Sequence, residues 1–201
     1  MPEATPPVPR PAASLLVLHR REAGPEMLMG LRGAGHKFMP NRLVFPGGAV
    51  DPADAHAPFA SPLRAQVRRR LEVSADPSLA GALAAAAARE LFEETGLSLG
   101  APPHFSGLDY LCRAVTPPIS PVRFDARFFV VDASAVSGTL AGSGELEDLR
   151  WFPLAEALAL DLAQVTRGVL RQFSAWLALT EAERDARART PVMFERVWQE
   201  E

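Results

Sequence analysis

Residues 83–97 read LAAAAARELFEETGL, and a turn sequence, Phe45-Pro46-Gly47-Gly48, stands far upstream of them. At 100° per residue Glu90, Glu93 and Glu94 fall on one face of a helix, because positions three and four apart are neighbours there. Ala84, Ala88, Leu91, Phe92 and Thr95 fall on the other, a surface of mostly small side chains fit to press against a sheet. Like charges at this spacing destabilise a helix by roughly a few tenths of a kcal/mol per pair, and Arg89 projects to the side of the strip. Two readings of the strip follow. It is a solvated acidic face, or it is a seat for a hard divalent cation such as Mg²⁺ or Mn²⁺, which takes oxygen ligands and completes its shell with water and phosphate groups. Gly47 and Gly48 likewise fit either an ordinary tight turn or a backbone that approaches a ligand closely.

Composition narrows the field. A chain of 201 residues that is 48% hydrophobic can bury a real core and is expected to form one domain with additions. A net charge of -3 offers no broad basic field, so nucleic acid is not an expected partner. The single cysteine, Cys112, lies in an apolar run, which excludes an internal disulfide framework and predicts a small core side chain. No apolar stretch reaches membrane-spanning length and the amino terminus lacks the pattern of a signal peptide, so no membrane association and a cytoplasmic protein are expected.

Working outward from the helix, residues 1–11 carry five prolines and are expected to form a flexible lead to a single domain over 12–201. Residues 12–20 and 26–32 read as strands of a hairpin, 43–45 as a short strand, and 107–115 and 123–132 as two more. Residues 136–144 are expected as a loop. Asp76 or Ser78 caps the main helix and Gly96 ends it. Between Asp51 and Pro77 a short helix is expected from Ser61 or Pro62 to Leu71, and its Arg64, Arg68, Arg69 and Arg70 form either a wall for a phosphate or a solvated face. The carboxy-terminal part, about 153–201, reads as helical, with a capping box of Thr180 and Glu183 opening a helix through Arg189. Leu170, Phe173, Trp176, Leu177 and Leu179 make an apolar surface there that core packing or a homodimer explains equally.

Gly48, Asp54, Arg89, Glu90, Leu91, Glu93, Glu94, Gly96 and Leu97 resemble the Nudix hydrolase signature, G-x5-E-x7-R-E-U-x-E-E-x-G-U with U aliphatic. The half from Arg89 to Leu97 agrees at every specified position. The first half departs twice: Asp54 stands where the family has Glu, and residues 55–88 fill the place of seven, an insertion of which about 55–78 is extra. The resemblance implies an α/β fold of α+β type, a Nudix-type α/β/α sandwich with a mixed β-sheet and additional C-terminal helices. It implies Mg²⁺ or Mn²⁺ as cofactor, with Gly48 (through its carbonyl), Glu90, Glu93 and Glu94 as metal ligands. Glu90, Glu93 or Glu145 would act in catalysis, with Glu147 second to Glu145, and Arg89 would brace the glutamates. The substrate would be a small-molecule nucleoside diphosphate derivative. Residues 28–48 are similar in spacing to the motif of coenzyme A diphosphatases, and the interrupted box resembles one branch of them. That implies coenzyme A or its acyl form as substrate, with Arg32, Lys37 and Gly47 binding it, although Gly33, Lys37 and Asn41 are not the residues of that motif. ADP-ribose, NADH or another nucleotide is the alternative. A non-catalytic nucleotide-binding module is an alternative of another class, against which the intact Arg-Glu and Glu-Glu pairs argue.

Overall fold

Side chains of the continuously buried central strands alternate between two cores, which sets the layers of the molecule, a computed structural model that describes residues 5–33, 35, 39–142 and 144–201. β1 (Arg10–Arg21) and β2 (Gly24–Arg32) form the expected hairpin, β3 (Leu43–Val44) pairs with the end of β2, and β4 (Gly47–Ala49) pairs with the start of β1. After a single 3-10 turn at Pro52–His56 come α1 (Ala65–Leu71) and the long α2 (Pro77–Thr95). β5 (Leu97–Ser98), β6 (Asp109–Val115), β7 (Phe124–Asp132), β8 (Ser137–Gly138) and β9 (Leu146–Pro153) follow. The chain then runs through α3 (Leu154–Ala159), α4 (Gln164–Leu177) and α5 (Glu181–Asp185) to β10 (Pro191–Phe194) and β11 (Val197–Glu200).

Among the described residues the main sheet has nine strands in the order β11-β10-β6-β7-β1-β2-β3, with β4 beside β1 and β9 beside β2. β1 runs parallel to β7, and β10 to β6; the other pairings are antiparallel, so the sheet is mixed as expected. Ala13, Leu15 and Val17 of β1, Leu28 of β2 and Phe129 and Val131 of β7 point into the core shared with α2. Their neighbours Leu16, Leu18, Met27, Met29, Phe128 and Val130 point to the opposite core, closed by Val169, Leu170 and Phe173 of α4. Period-two alternation thus makes one sheet serve two helical layers.

α2 lies where its alanines allow close approach: Ala80 and Ala82 through Ala88 are all buried. Asp76 accepts from the backbone N–H groups of Ser78 and Leu79, Pro77 opens the first turn, and Gly96 closes the helix at φ 72°, a conformation that glycine adopts without steric cost. Phe92, expected on the buried face, is 59% exposed, whereas Glu94 of the acidic strip is 2% exposed. Each lies about 80° from the centre of the buried stripe, on opposite flanks. The Gly47–Gly48 turn covers the Glu94 flank.

Three expectations are corrected. The lead ends sooner than residue 11, because β1 begins at Arg10 and pairs Arg10 and Pro11 with Phe124 and Asp125. The carboxy-terminal part is not helical to its end: the Thr180–Glu183 capping box forms, but α5 stops at Asp185 and the chain finishes as a β hairpin. Arg187, expected within that helix, instead donates to the backbone of Leu111 and Tyr110. The arginine stretch of α1 is neither a plain solvated face nor wholly free, since Arg70 is 4% exposed and paired with Asp109, and Arg64 pairs with Asp185 at 2.8 Å. Leu63, Val67 and Leu71 bury beside α2, so the insertion is part of the core. The apolar face of α4 is covered within the chain, with Phe173 and Trp176 buried. Cys112 is buried, as expected, and burial pushes its thiol well above the usual range. Among the described residues no helix is long and apolar enough to cross a membrane.

Ala84 has no room to grow and Gly81 has nothing near its missing Cβ. Urea denaturation is therefore expected to show Ala84→Leu less stable by about 1–3 kcal/mol, from overpacking. Gly81→Ala is expected to be more stable by roughly 0.5–1 kcal/mol, from helix propensity.

Candidate active site

The turn after β3 is anchored before it meets the helix. Phe45 buries against the Phe128 ring at 6.4 Å between centroids, and Leu15 N–H donates to the Pro46 carbonyl at 2.9 Å. A Cβ on Gly47 would overlap Ser14 and the Ala13 carbonyl, and a Cβ on Gly48 would overlap the Glu90 carboxylate. Both glycines are therefore demanded by space, one by the sheet and one by the acidic residue that faces it.

The last two turns of α2 supply the charge. Arg89 uses its whole guanidinium: Nε and Nη2 donate to Asp54, both at 3.0 Å, and Nη2 also to the Ala49 carbonyl at 3.0 Å. Nη1 donates to Glu90 at 2.7 Å and to Glu93 at 3.0 Å. Hydrogen bonding to Asp54, with Glu90 in support, raises the Arg89 pKa against the opposing effect of burial. Thirty-four residues separate Asp54 from Arg89 where a short box has seven, yet Asp54 reaches the arginine bidentately. It does so because Asp51 and Asp54 form a capping box around the 3-10 turn that follows β4, which fixes Asp54 beside α2 before the insertion departs.

Glu94 is held from the other side. Its Oε2 accepts the Gly47 N–H at 2.8 Å, and Arg32 Nη2 donates to the Gly47 carbonyl at 3.4 Å. Burial pushes the Glu94 carboxyl up to about 7, opposed by the Gly47 N–H and the Arg32 charge and reinforced by the charges of Glu90 and Glu145. Burial also raises Glu90; the Arg89 hydrogen bond opposes this, and Glu93 and Glu145 add to it. Glu145 thus acts on the same locus from the residue that precedes β9, although it stands far along the chain. Glu147 lies further into β9, opposite Leu31 of β2. Lys37 falls outside the described residues.

Among the described residues no three acidic, histidine or cysteine side chains are already gathered round one point. Arg89 draws Glu90 and Glu93 toward itself while Glu94 is turned to Gly47, which accounts for the spacing. The donor set nevertheless suits a hard cation: it is carboxylate oxygens with the Gly48 backbone alongside, and burial raises the carboxyls of Glu90 and Glu94. Beside the turn, on the α4 side of the sheet, lies a cavity of about 580 Å³. Phe45, Ala114, Phe128, Val165 and Met193 give it an apolar lining, and Arg32 and Arg196 are its charged residues. The roles of Val165, Met193 and Arg196 escaped sequence reasoning, because α4 and the final hairpin reach the turn only through the order of the sheet.

The site is thus an acidic, arginine-braced helix end packed on a glycine turn, inside a mixed sheet between helical layers. The family model of the NUDIX domain matches residues 76–173. The fold is similar to that of a Nudix hydrolase from Alicyclobacillus acidocaldarius, at 27% identity and a TM-score of 0.64, over 84% of this chain and 91% of that one. It is also similar to a MutT Nudix hydrolase from Burkholderia pseudomallei (22%, TM-score 0.53, 83% and 98%) and to the Nudix domain of Shewanella oneidensis NrtR (18%, TM-score 0.54, 86% and 90%). No curated protein sequence matches the chain. Residues 76–173 thus match a Nudix domain, and the fold is similar to that of Nudix hydrolases, an enzyme class that generally uses divalent metal ions.

The raised Glu94 carboxyl favours its protonated form in the folded state, so its contribution to stability is complete below its ordinary value of 4.5 and is lost as pH rises through about 7. In the presence of a chelator, the melting temperature of the protein is expected to fall between pH 4.5 and pH 7. Glu94→Gln is expected to flatten that fall, as read by thermal unfolding across the pH range.

Proposed function

We propose that this chain hydrolyses the diphosphate linkage of a nucleoside diphosphate derivative, with Mg²⁺ or Mn²⁺ held by Glu90, Glu93, Glu94 and the Gly48 carbonyl. The observation that carries this reading is the Gly47–Gly48 turn, which packs against the carboxyls of half-buried Glu90 and buried Glu94 and also lines a cavity large enough for a small organic ligand. Bound divalent cations neutralise phosphate oxygens and make a water more acidic. Arg89 holds the carboxylates in register and has no donor to spare for substrate. Glu93, 55% exposed, and Glu145, also exposed, are open to water and are the candidates for general base. That base takes the proton of the attacking water as the new P–O bond forms and the anhydride P–O bond breaks. Arg32 stands beside the turn, placed to receive the charge of the diphosphate.

For the substrate we favour coenzyme A or its acyl form, cut to 3′,5′-ADP and the (acyl-)4′-phosphopantetheine. The spacing of residues 28–48 supports it, as does an apolar cavity suited to an arm without charge. ADP-ribose is the second reading. The Shewanella oneidensis NrtR Nudix domain was solved in complex with ADP ribose, although at 18% identity that likeness concerns the fold.

Mass spectrometry of products from coenzyme A, acetyl-coenzyme A, ADP-ribose, NADH and nucleoside triphosphates, each with Mg²⁺ or Mn²⁺, tests both levels. Release of 3′,5′-ADP is expected, with Glu93→Gln lowering the rate by about 10²–10⁴ if it is the base. Turnover of another compound alone would replace coenzyme A, and no turnover of any would leave a nucleotide-binding module.

A further inference from the structure

A second concave feature lies away from the carboxylates, where α1 of the insertion meets the segment that follows α5. It is a hollow of about 410 Å³ with Gln66, Arg69, Arg70, Asp185 and Arg187 on its walls. Its charge does not balance. Asp185 is taken by Arg64 at 2.8 Å. Asp109, buried below, accepts from Arg70, from Arg187 at 3.4 Å and from Trp176 Nε1 at 2.6 Å, so two guanidiniums share one carboxylate. Arg69 is exposed and has no ion pair among the described residues. Two positive charges are therefore left over in a concavity of a protein whose net charge is -3.

The burial of this excess matters more than its count. Arg70 is 4% exposed, and its Nε, like that of Arg64, is buried without a hydrogen-bond partner. Burial, with the nearby charges of Arg187 and Arg64, lowers the Arg70 pKa despite the attraction of Asp109. Arg184 adds another positive charge close by, stacked on the Trp176 ring at 3.8 Å. Guanidiniums kept in so crowded a place are stabilised by an oxyanion that accepts several of their forked N–H donors at once, and a doubly charged one matches the excess of two.

We propose that this hollow is an anion site that takes a phosphate group, separate from the catalytic turn and built by the insertion together with the chain after α5. Free orthophosphate and the phosphate of a nucleoside monophosphate share the chemistry it would recognise.

Isothermal titration of the full chain with sodium phosphate, in chelator and at constant ionic strength, tests the site with no metal at the carboxylates. Saturable binding is expected. Arg69→Gln, at an exposed position, and Gln66→Glu, which adds a carboxylate to the wall, are each expected to weaken it at least tenfold. Arg32→Gln, in the catalytic cavity, is expected to leave it unchanged. The same titration with AMP separates the sources: AMP binding that both hollow variants weaken identifies a nucleotide phosphate, and phosphate binding without AMP binding identifies the free ion. Phosphate heats no different from those of chloride, binding indifferent to both hollow variants, or binding lost in Arg32→Gln would overturn the proposal.

Discussion

Five hydrogen bonds from one guanidinium organise the site. Arg89 joins the 3-10 turn through Asp54, the edge of β4 through the Ala49 carbonyl, and its own helix through Glu90 and Glu93. Placing Glu90 and Glu94 at low exposure beside each other is costly for like charges, and the cost is offset locally by this arginine, by the Gly47 N–H and by the field of Arg32. Removing Arg89 would release three acidic side chains from one cation, two of them in a partly dehydrated setting.

The sheet makes that arrangement possible by letting β1 change partners. Its first residues pair with β4, and its last with β2, so the glycine turn is stitched to the sheet within reach of α2. β7 remains parallel to β1 along the whole of Arg10–Leu18, which keeps the platform continuous. The same switch leaves the cavity on the α4 side open beside Gly47, so that diphosphate chemistry and an apolar pocket share one turn.

The insertion serves a different physical need. Its α1 completes the core on the α2 side and carries Arg70 to Asp109 at the head of β6, where Trp176 of α4 and Arg187 also converge. One buried carboxylate thus ties together the insertion, the sheet and the carboxy-terminal segment. Such a hub is sensitive to the loss of any member, because each remaining charge would be stranded away from water.

Local periodicity was enough to read α2, its Asp76 and Gly96 caps, the first hairpin, the strands β6 and β7 and the Thr180–Glu183 box, because each depends on residues within a turn or two of one another. It also identified the acidic residues of the helix and the glycines of the turn. It could not say that Glu94 rather than Phe92 would be covered, since both flank the buried stripe equally and the covering element comes from nearly fifty residues upstream. Nor could it recover Asp54 as the partner of Arg89 across the insertion, the burial of Arg70, or the return of residues 191–200 to the sheet. Those rest on pairings across the fold, and what decided them was strand order and depth of burial, which set the charges that must meet.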